Sequence, residues 1–273
     1  MTTTPDNPFA AAEVGALYAR GRPYHHPRSL ARLRALLAQS QAPADARADA
    51  DVDADVDADV ERALDVACGT GMSTVALADF AGVVAGVDIS PEMMRVAPAA
   101  PNVTYMLGRA ERLPFVDSAF DAVTCSSGIH WFDQEPFYEE LRRVVRPGGW
   151  IGLYDHYFMR MPGVHGFRAW VGELFRRYPL PPRNPQVGDP RAETPAGFEL
   201  LGSELFEDPI EMTPDVFADY QLTVSHCVAA AERGTPRSEI RDWLLASTAP
   251  LFGDNSTRVL QFLGTITCLR RLP

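Results

Sequence analysis

The fold of this chain is decided by the stretch Leu64-Asp65-Val66-Ala67-Cys68-Gly69-Thr70-Gly71-Met72-Ser73-Thr74. An apolar run that carries an acidic residue gives way to a Gly-x-Gly turn, and a helix-compatible segment follows. The two glycines let the backbone turn tightly and come close to a ligand. This order predicts a buried strand that passes into a helix at the edge of a nucleotide-type pocket.

Two residues of this stretch indicate which ligand fits. Thr74 stands where the dinucleotide fingerprint Gly-x-Gly-x-x-Gly has its third glycine, so the fingerprint is incomplete. Asp65 lies four residues before Gly69, where a carboxylate would repel a pyrophosphate and attract a ligand that carries an ammonium and a sulfonium. Taken alone, the stretch leaves open a tight turn with no ligand.

A second apolar run ends in an acid and strengthens the ligand interpretation. Asp88 closes the run Val83–Val87, and Ser90-Pro91 follows as a predicted N-cap and first helical residue. An acid at the end of the second strand of a β-α-β unit is placed to accept hydrogen bonds from ribose hydroxyls. We therefore expect Asp88 to bind a ribose, with an ordinary strand-end carboxylate as the alternative.

Alternating strand and helix patterns continue through the middle of the chain. We predict strands at 63–67, 83–88, 103–107, 119–125, 149–155 and 257–270. We predict helices at 9–20, 28–39, 72–80, 91–97, 134–145, 164–177, 214–232 and 236–248. Strands that alternate with helices indicate a parallel, doubly wound sheet.

The ordered motifs resemble those of class I S-adenosylmethionine-dependent methyltransferases. The motifs are DVACGTG, VDIS, GRAERLPF, FDAVTCSSGIHWF and LRRVVRPGGW, within residues 63–155. The flanking segment YARGRPYHHP at 18–27 is more loosely similar to the trans-aconitate-type and related small-molecule methyltransferases. The resemblance implies an α/β fold with a doubly wound, mostly parallel seven-stranded sheet. A strand near 204–211 would complete an antiparallel edge hairpin, and N-terminal and insert helices would form a cap.

The resemblance also implies S-adenosyl-L-methionine as the cofactor and assigns residues to it. Asp65 and the backbone of Gly69 and Gly71 would face its methionine part, Asp88 its ribose, and Ile89, Ala110 and Glu111 its adenine. Ala67 is a further residue predicted to bind the cofactor. Ser126 would lie where substrate meets cofactor, and the loop with Tyr18 and Arg22 would fold over the cofactor. The chain departs from the family pattern at Arg109, which precedes Ala110 and cannot accept a hydrogen bond from the adenine amine.

Catalytic and substrate residues are less strongly marked, because methyl transfer needs a base only when the nucleophile has a proton to lose. His130 is the first candidate for that base and His156 the second; a histidine that only packs a loop is the alternative for His130. Candidate substrate contacts are Tyr24, in the loop after the first helix, and Trp131, Tyr157 and Trp170, which belong to an aromatic set that would equally suit a core. A tricarboxylate acceptor would need cations such as Arg22, Arg160, Arg168, Arg176 and Arg177.

Composition excludes several classes of protein. Of the net charge of −11, residues 45–61 contribute −7, and no basic patch that suits a nucleic acid is present. No apolar run approaches a membrane span, the N-terminal segment lacks a secretory pattern, and four scattered cysteines argue against a disulfide framework or a metal site. We expect a cytoplasmic protein that has a small-molecule acceptor and no nucleic-acid or membrane partner; the oligomeric state is open.

The predicted organisation has three parts: N-terminal helices over 1–44, an acidic linker over 45–61, and a methyltransferase domain over 62–273 with a substrate-side insert at about 156–200. The resemblance implies transfer of a methyl group to an O, N or C nucleophile of a small molecule. Two other functions compete with methyl transfer. A nicotinamide-dependent oxidoreductase would need the third glycine and phosphate-friendly charge near Asp65. A non-catalytic cofactor-binding or scaffold protein would keep the same fold.

Overall fold

One seven-stranded sheet organises the described part of the chain. The computed structural model describes residues 14–41, 60–181 and 193–273. Their strands are β1 (Val60–Val66), β2 (Ala81–Asp88), β3 (Val103–Leu107), β4 (Phe120–Ser126), β5 (Val145–Arg160), β6 (Phe198–Met212) and β7 (Arg258–Arg271). The spatial order is β3-β2-β1-β4-β5-β7-β6. Strands β1 to β5 are parallel, and β7 runs antiparallel to both β5 and β6, which confirms the predicted doubly wound sheet with its edge hairpin.

Helices cover both faces of this sheet and the carboxyl end of its parallel strands. Within the same described ranges they are α1 (Val14–Gly21), α2 (His26–Gln41), α3 (Met72–Ala78), α4 (Pro91–Met94), α5 (Gln134–Val144), α6 (Phe167–Arg177), α7 (Pro214–Leu222), α8 (Ser225–Glu232) and α9 (Arg237–Phe252). A 3₁₀ turn spans Ile129–Trp131.

Each group of helices has its own apolar core. Leu30 and Leu33 of α2 pack on one sheet face with α3, and α5 packs Phe137 and Leu141 on the other face. Helices α1 and α6 to α9 bury a third cluster against the ends of β5, β6 and β7, centred on Phe217. This third cluster forms the cap over the sheet.

Local sequence explains where two of the helices begin. At α4, the Ser90 hydroxyl accepts a hydrogen bond from the backbone N–H of Met93 at 3.3 Å, and Pro91 is the first helical residue. At α7, Thr213 caps Val216 in the same way and Pro214 follows it. Both match the preference for a hydroxyl at the N-cap followed by proline.

Several predicted boundaries are wrong. The helix predicted at 214–232 is two helices, because Thr223 and Val224 are β-branched and the backbone N–H groups there bond three residues back instead of four. The helix predicted at 91–97 ends at Met94, and β6 begins at Phe198 rather than near 204.

Strand β5 is also longer than predicted. It starts at Val145 and reaches Arg160, with a bulge between the pairs Phe120–Val145 and Ala122–Trp150. The segment predicted as an insert from about 156 therefore begins with sheet structure, since β7 pairs with β5 as far as Arg160. Residues 45–59 of the acidic segment and 9–13 of the first predicted helix lie outside the described residues, whereas Val60 and Glu61 belong to β1.

Candidate functional site

The loop after β1 turns through three residues with positive φ. These are Ala67 (56°), Gly69 (53°) and Gly71 (76°). Gly71 precedes the first residue of α3, and a Cβ at this position would overlap the hydroxyl group of Tyr105. Glycine at 71 is therefore required by both its φ and its neighbour. Residues 67–70 of the loop line one wall of a cavity at the carboxyl edge of the sheet, whereas Gly71, which was predicted to face the cofactor, is not part of that lining.

The structure corrects the role expected for Asp65. Its side chain is fully buried behind the loop and does not line the cavity. One carboxylate oxygen accepts hydrogen bonds from the hydroxyls of Ser73 (2.6 Å) and Thr74 (2.7 Å), and the other accepts one from Thr124 (2.9 Å). Burial raises the pKa of Asp65 to about 6, although these hydroxyls oppose the rise. Asp65 thus ties β1 to α3 and β4 instead of facing a ligand.

Asp88 lines the cavity and also holds the loop. Its Oδ2 accepts a hydrogen bond from Gly69 N at 2.8 Å, and its Oδ1 accepts one from Ser90 N at 2.8 Å. Burial raises the pKa of this carboxyl, and the backbone N–H groups oppose the rise. Each oxygen keeps a further lone pair, so Asp88 can accept additional hydrogen bonds from vicinal hydroxyls of a ligand.

Most of the predicted site residues come together around this one cavity. Those that line it are Tyr18, Arg22, Ala67, Gly69, Asp88, Ile89, Ala110, Glu111, Ser126, Trp131 and His156. Ile89 is 48% exposed although it is apolar, which suits a side chain that packs against a ligand. The lining also includes Met93 and His25, which the sequence did not assign to a cofactor or substrate.

At the side of the cavity near Ala110, two charged side chains meet. Arg109 Nε lies 3.6 Å from Glu111 Oε2, and Glu111 Oε1 accepts a hydrogen bond from the backbone N–H of Asp133 at 3.2 Å. The residue that departs from the family pattern therefore pairs with the neighbouring acid. One oxygen of Glu111 holds the following loop, and the other faces an arginine.

Arg22 reaches into the cavity from the segment between α1 and α2. Its Nη2 donates to the carbonyl oxygen of Thr223 at 3.1 Å, and its guanidinium lies over the rings of Tyr18 (4.8 Å) and Tyr220 (5.2 Å). Its Nε is buried and has no hydrogen-bond partner among the described residues. An unpaired buried N–H of a cation is suited to an anionic oxygen.

Three predicted substrate contacts lie elsewhere. Tyr24 is 52% exposed and does not line the cavity. Tyr157 follows His156 on β5, so its side chain lies on the opposite face of the sheet, where it is 44% exposed. Trp170 is buried in the core of the cap, and its Nε1 donates to Ser247 Oγ at 3.0 Å.

His130, the first candidate for a base, is also outside the cavity lining. It lies in the 3₁₀ turn after β4, and its ring centroid is 5.0 Å from that of Trp131. Trp131 and Phe132, which follow it, do line the cavity. The turn therefore presents the two aromatic side chains to the cavity rather than the imidazole.

Three histidines instead meet at the β5 side of the cavity, and all three line it. The rings of His25 and His156 stack with their centroids 4.1 Å apart, and the ring centroid of His26 lies 4.3 Å from that of His25. His156 Nε2 is 2.9 Å from Asp208 Oδ2 on β6, and Arg28 of α2 forms an ion pair with the other oxygen. Sequence reasoning missed Asp208 because it is 52 residues away in the chain.

Burial favours the neutral form of these imidazoles. It lowers the pKa of His26 to about 3 and that of His25 well below its ordinary range. For His156 burial also lowers the pKa, and the raising effect of Asp208 does not cancel it. In residues 14–41, 60–181 and 193–273, no group of three or more His, Cys, Asp or Glu side chains is arranged to hold a metal ion.

Two further observations concern the predicted arginines and the helices. Of the five arginines considered for a tricarboxylate, Arg22 lines the cavity, whereas Arg160 pairs with Glu207 and Arg177 with Glu239 at the surface. Among the helices that the structure describes, none has the length and apolar character needed to cross a bilayer.

Comparisons with known proteins agree with this geometry. Residues 64–153 match the family model of a methyltransferase domain. Over 259 residues the chain is 29% identical to an "uncharacterized methyltransferase" of Mycobacterium tuberculosis, covering 94% of this chain and 92% of that protein. It is 30% identical over 201 residues to a "putative methyltransferase" of Dictyostelium discoideum, covering 71% of this chain and 76% of that protein.

A solved structure shares both the fold and part of the sequence. It is that of a "putative type II methyltransferase" from Anaeromyxobacter dehalogenans, with a TM-score of 0.61 at 27% identity. The match covers 78% of this chain and 91% of that one. The shared fold therefore includes most of the described residues.

Proposed function

Since the chain belongs to the class I S-adenosylmethionine-dependent methyltransferase family, we propose that it transfers a methyl group from S-adenosylmethionine to a small molecule bound in the cavity. When bound, S-adenosylmethionine supplies an electrophilic methyl group on a sulfonium sulfur. The protein's task is then to bind both partners, align them and exclude water. The proposal rests on the cavity at the carboxyl edge, where the loop after β1, Asp88 and Arg22 meet.

The lining residues fit the parts of this cofactor. Asp88 has acceptor capacity beyond its two backbone hydrogen bonds and would take the ribose hydroxyls. The exposed Ile89 would pack on the adenine, whose edge would face Ala110 and Glu111. The unpaired buried Nε of Arg22 would donate to the methionine carboxylate.

The acceptor is proposed to be a small molecule rather than a polymer. The cavity is bordered by Trp131, Phe132 and Ser126 at its acceptor side, a mixture of apolar walls and few polar groups that suits small ligands. Arg22 and Arg109 are the cations that line the cavity in the described ranges, and Arg109 already faces Glu111. A highly anionic acceptor is therefore less favoured than a neutral one.

The competing functions have less support. A nicotinamide-dependent oxidoreductase would need a loop that attracts a pyrophosphate, and the methyltransferase relatives do not favour it. A non-catalytic scaffold does not require an arginine that lines the cavity and has an unpaired buried N–H, or three histidines along the cavity wall.

The first experiment is thermal denaturation with S-adenosylmethionine, S-adenosylhomocysteine, NAD and NADP in parallel. A ligand present at roughly one hundred times its dissociation constant adds about 2.7 kcal/mol to the free energy of unfolding. We expect the two adenosyl ligands to raise the melting temperature and the two dinucleotides to leave it unchanged. The proposed cofactor would be refuted if only the dinucleotides raised the melting temperature, or if none of the four ligands did.

The role of Arg22 has a sharper test. Calorimetry on Arg22→Met is compared for S-adenosylhomocysteine and methylthioadenosine, which lacks the amino-acid part. We expect weaker binding of the first ligand and unchanged binding of the second, because only the first has the carboxylate that the guanidinium would bind. Arg160→Met is the matched control, since that arginine is half exposed and pairs with Glu207. Equal loss for both ligands would show that Arg22 acts only by holding α1 and α7 together.

A further inference from the structure

His156 stands above the edge of the parallel sheet. Strand β4 ends at Ser126, which pairs with Tyr154, so His156 projects two residues beyond that level. At about 3.3 Å per residue, this is roughly 7 Å past the end of β4. The strand order β2-β1-β4-β5 places it three strand spacings from Asp88, roughly 14 Å across the cavity. This position is on the acceptor side of the proposed cofactor site.

The ring of His156 is fixed on three sides. His25 stacks on one face at 4.1 Å with 12° between the planes, and Phe262 stacks on the other at 5.0 Å with 9°. Asp208 binds the Nε2 edge at 2.9 Å and is itself paired with Arg28. Stacking and a bound carboxylate fix both the plane and the rotation of this imidazole, as a positioned proton acceptor requires.

The edge hairpin creates this arrangement. His156 on β5 lies opposite Gly264 on β7, which lies opposite Phe206 on β6. Because Gly264 has no side chain, the Phe206 ring lies over its backbone, and a Cβ there would overlap that ring. The Asp208 and His156 side chains share this face and meet across β7.

Hydrogen bonding leaves one nitrogen of His156 for a ligand. The Asp208 carboxylate accepts from Nε2, which therefore carries a proton. Burial lowers the pKa of His156 and so favours the neutral ring, in which Nδ1 keeps its lone pair. His156 makes no other hydrogen bond among the described residues. The titratable and charged groups that face it from the neighbouring elements are Asp208, Arg28, Arg22, His25 and His26.

We propose that His156 is the general base of this site, that Asp208 is its positioning residue, and that the acceptor is therefore a neutral molecule methylated on a hydroxyl oxygen. This inference rests on the proposed methyl transfer. As the acceptor oxygen forms its bond to the methyl carbon, the methyl–sulfur bond breaks and its electron pair stays on sulfur. The hydroxyl proton passes to Nδ1 of His156 and is later released to water.

The chemistry of nucleophiles explains why a base points to a hydroxyl. A neutral amine attacks with its lone pair and loses a proton only afterwards, and a carboxylate has no proton to lose. A neutral hydroxyl becomes strongly acidic as it is methylated, so a base in contact with it lowers the barrier, typically by a factor of about 10² to 10⁴. An imidazole held by Asp208 can accept the hydroxyl proton during the attack itself, whereas a neutral amine or a carboxylate attacks without losing a proton in that step.

The first test requires no acceptor. Long-range proton–nitrogen NMR on the full chain with S-adenosylhomocysteine reports the tautomer of His156, assigned through the His156→Gln variant. We expect a neutral ring near neutral pH, protonated at Nε2 and bare at Nδ1. A ring that is charged near neutral pH, or protonated at Nδ1, cannot accept the proton and overturns the proposal. In Asp208→Asn the preference of the His156 proton for Nε2 over Nδ1 should weaken. The control Glu207→Gln, which changes a neighbouring exposed carboxylate, should leave that preference unchanged.

The second test measures methyl transfer to matched phenols, alcohols, anilines and benzoates, read as S-adenosylhomocysteine formed. We expect products from hydroxyl acceptors. For these, His156→Gln lowers kcat by about 100-fold or more while the Kd for S-adenosylhomocysteine and the melting temperature stay close to those of the control His165→Gln, an exposed histidine. For Asp208→Asn, we expect a lower kcat and an acid limb of the pH profile moved to lower pH, because the carboxylate raises the pKa of His156.

The outcomes separate this inference from the proposed function. If the wild-type protein binds neither S-adenosylmethionine nor S-adenosylhomocysteine, the proposed cofactor is refuted. Normal binding with transfer to amines or benzoates alone, or transfer to hydroxyls that His156→Gln leaves unchanged, overturns the assignment of the base only. If no acceptor in the set reacts, the tautomer of His156 decides the proposal.

Discussion

Replacing Asp65 by asparagine and by alanine distinguishes a buried structural acceptor from a residue that needs its charge. The carboxylate accepts three hydrogen bonds, from Ser73, Thr74 and Thr124, and all of these residues are buried. Asparagine keeps one acceptor oxygen for two of the hydroxyls and has an N–H that the third hydroxyl can accept after rotation. Alanine keeps none of these interactions.

The two variants should differ strongly in stability. Each buried hydroxyl left unpaired costs about 1–3 kcal/mol. Two of the three lie in the first turn of α3 and can turn to backbone carbonyls three or four residues back, which leaves one hydroxyl unpaired, so Asp65→Ala should lose about 1–3 kcal/mol. A carboxyl whose pKa rises from 3.8 to about 6 on folding makes the ionised form roughly 3 kcal/mol less favourable in the folded protein. Asp65→Asn removes that charge and should be at least as stable as the wild type at neutral pH.

The stability difference between Asp65→Asn and the wild type should depend on pH. Between pH 3.8 and about 6 the folded protein holds a proton on Asp65 that the unfolded chain has released, so this group's contribution to stability falls as pH rises. The stability advantage of Asp65→Asn should therefore grow across this window and level off above it. Urea unfolding, followed by circular dichroism at several pH values, measures this difference. If Asp65→Asn lost as much stability as Asp65→Ala at neutral pH, the negative charge itself would be what holds the loop, and the reasoning would fail.

Three further predictions concern other buried positions. Asp88→Asn keeps only one acceptor oxygen for two backbone N–H groups, so calorimetry should show binding of S-adenosylhomocysteine weakened about tenfold or more, unlike the control Glu92→Gln. His226→Leu should raise the melting temperature, because both ring nitrogens of His226 are buried without partners among the described residues. Burial also lowers the pKa of His226 to about 4, so wild-type stability falls as pH drops from 6.5 toward that value, and the gain should be largest at low pH. Unchanged acid sensitivity would count against this. Gly264→Ala should cost about 1–3 kcal/mol in urea unfolding, because its Cβ overlaps the Phe206 ring; a neutral result would mean that this ring moves freely.

Local patterns were sufficient for the cofactor half of the site. The positions of Asp88 and the loop at Gly69 follow from where two apolar runs end, since the ends of neighbouring parallel strands meet at one edge of a sheet. The strand order and the antiparallel hairpin followed from the resemblance carried by these motifs, and the structure has both. Residue type and spacing therefore determined the sheet, the edge at which ligands bind, and most of the residues along it.

The acceptor half of the site depended on contacts between distant parts of the chain. His156 is a better candidate for the base than His130, because β5 continues past the sheet edge and because Asp208, on another strand, binds the His156 ring. Tyr157 and Trp170 are excluded by the register of β5 and by the packing of the cap. A short segment of sequence cannot predict these positions, since they depend on strand register and on how the helices pack.

Asp65 shows the same division within a single residue. The sequence alone determined that an acid would stand at the end of the first strand, beside the loop. Only the tertiary structure decided that its carboxylate turns inward to three hydroxyls rather than outward to a ligand. The physical reason is that a buried charge must find hydrogen-bond donors, and here those donors lie on α3 and β4, which are brought together only when the sheet forms.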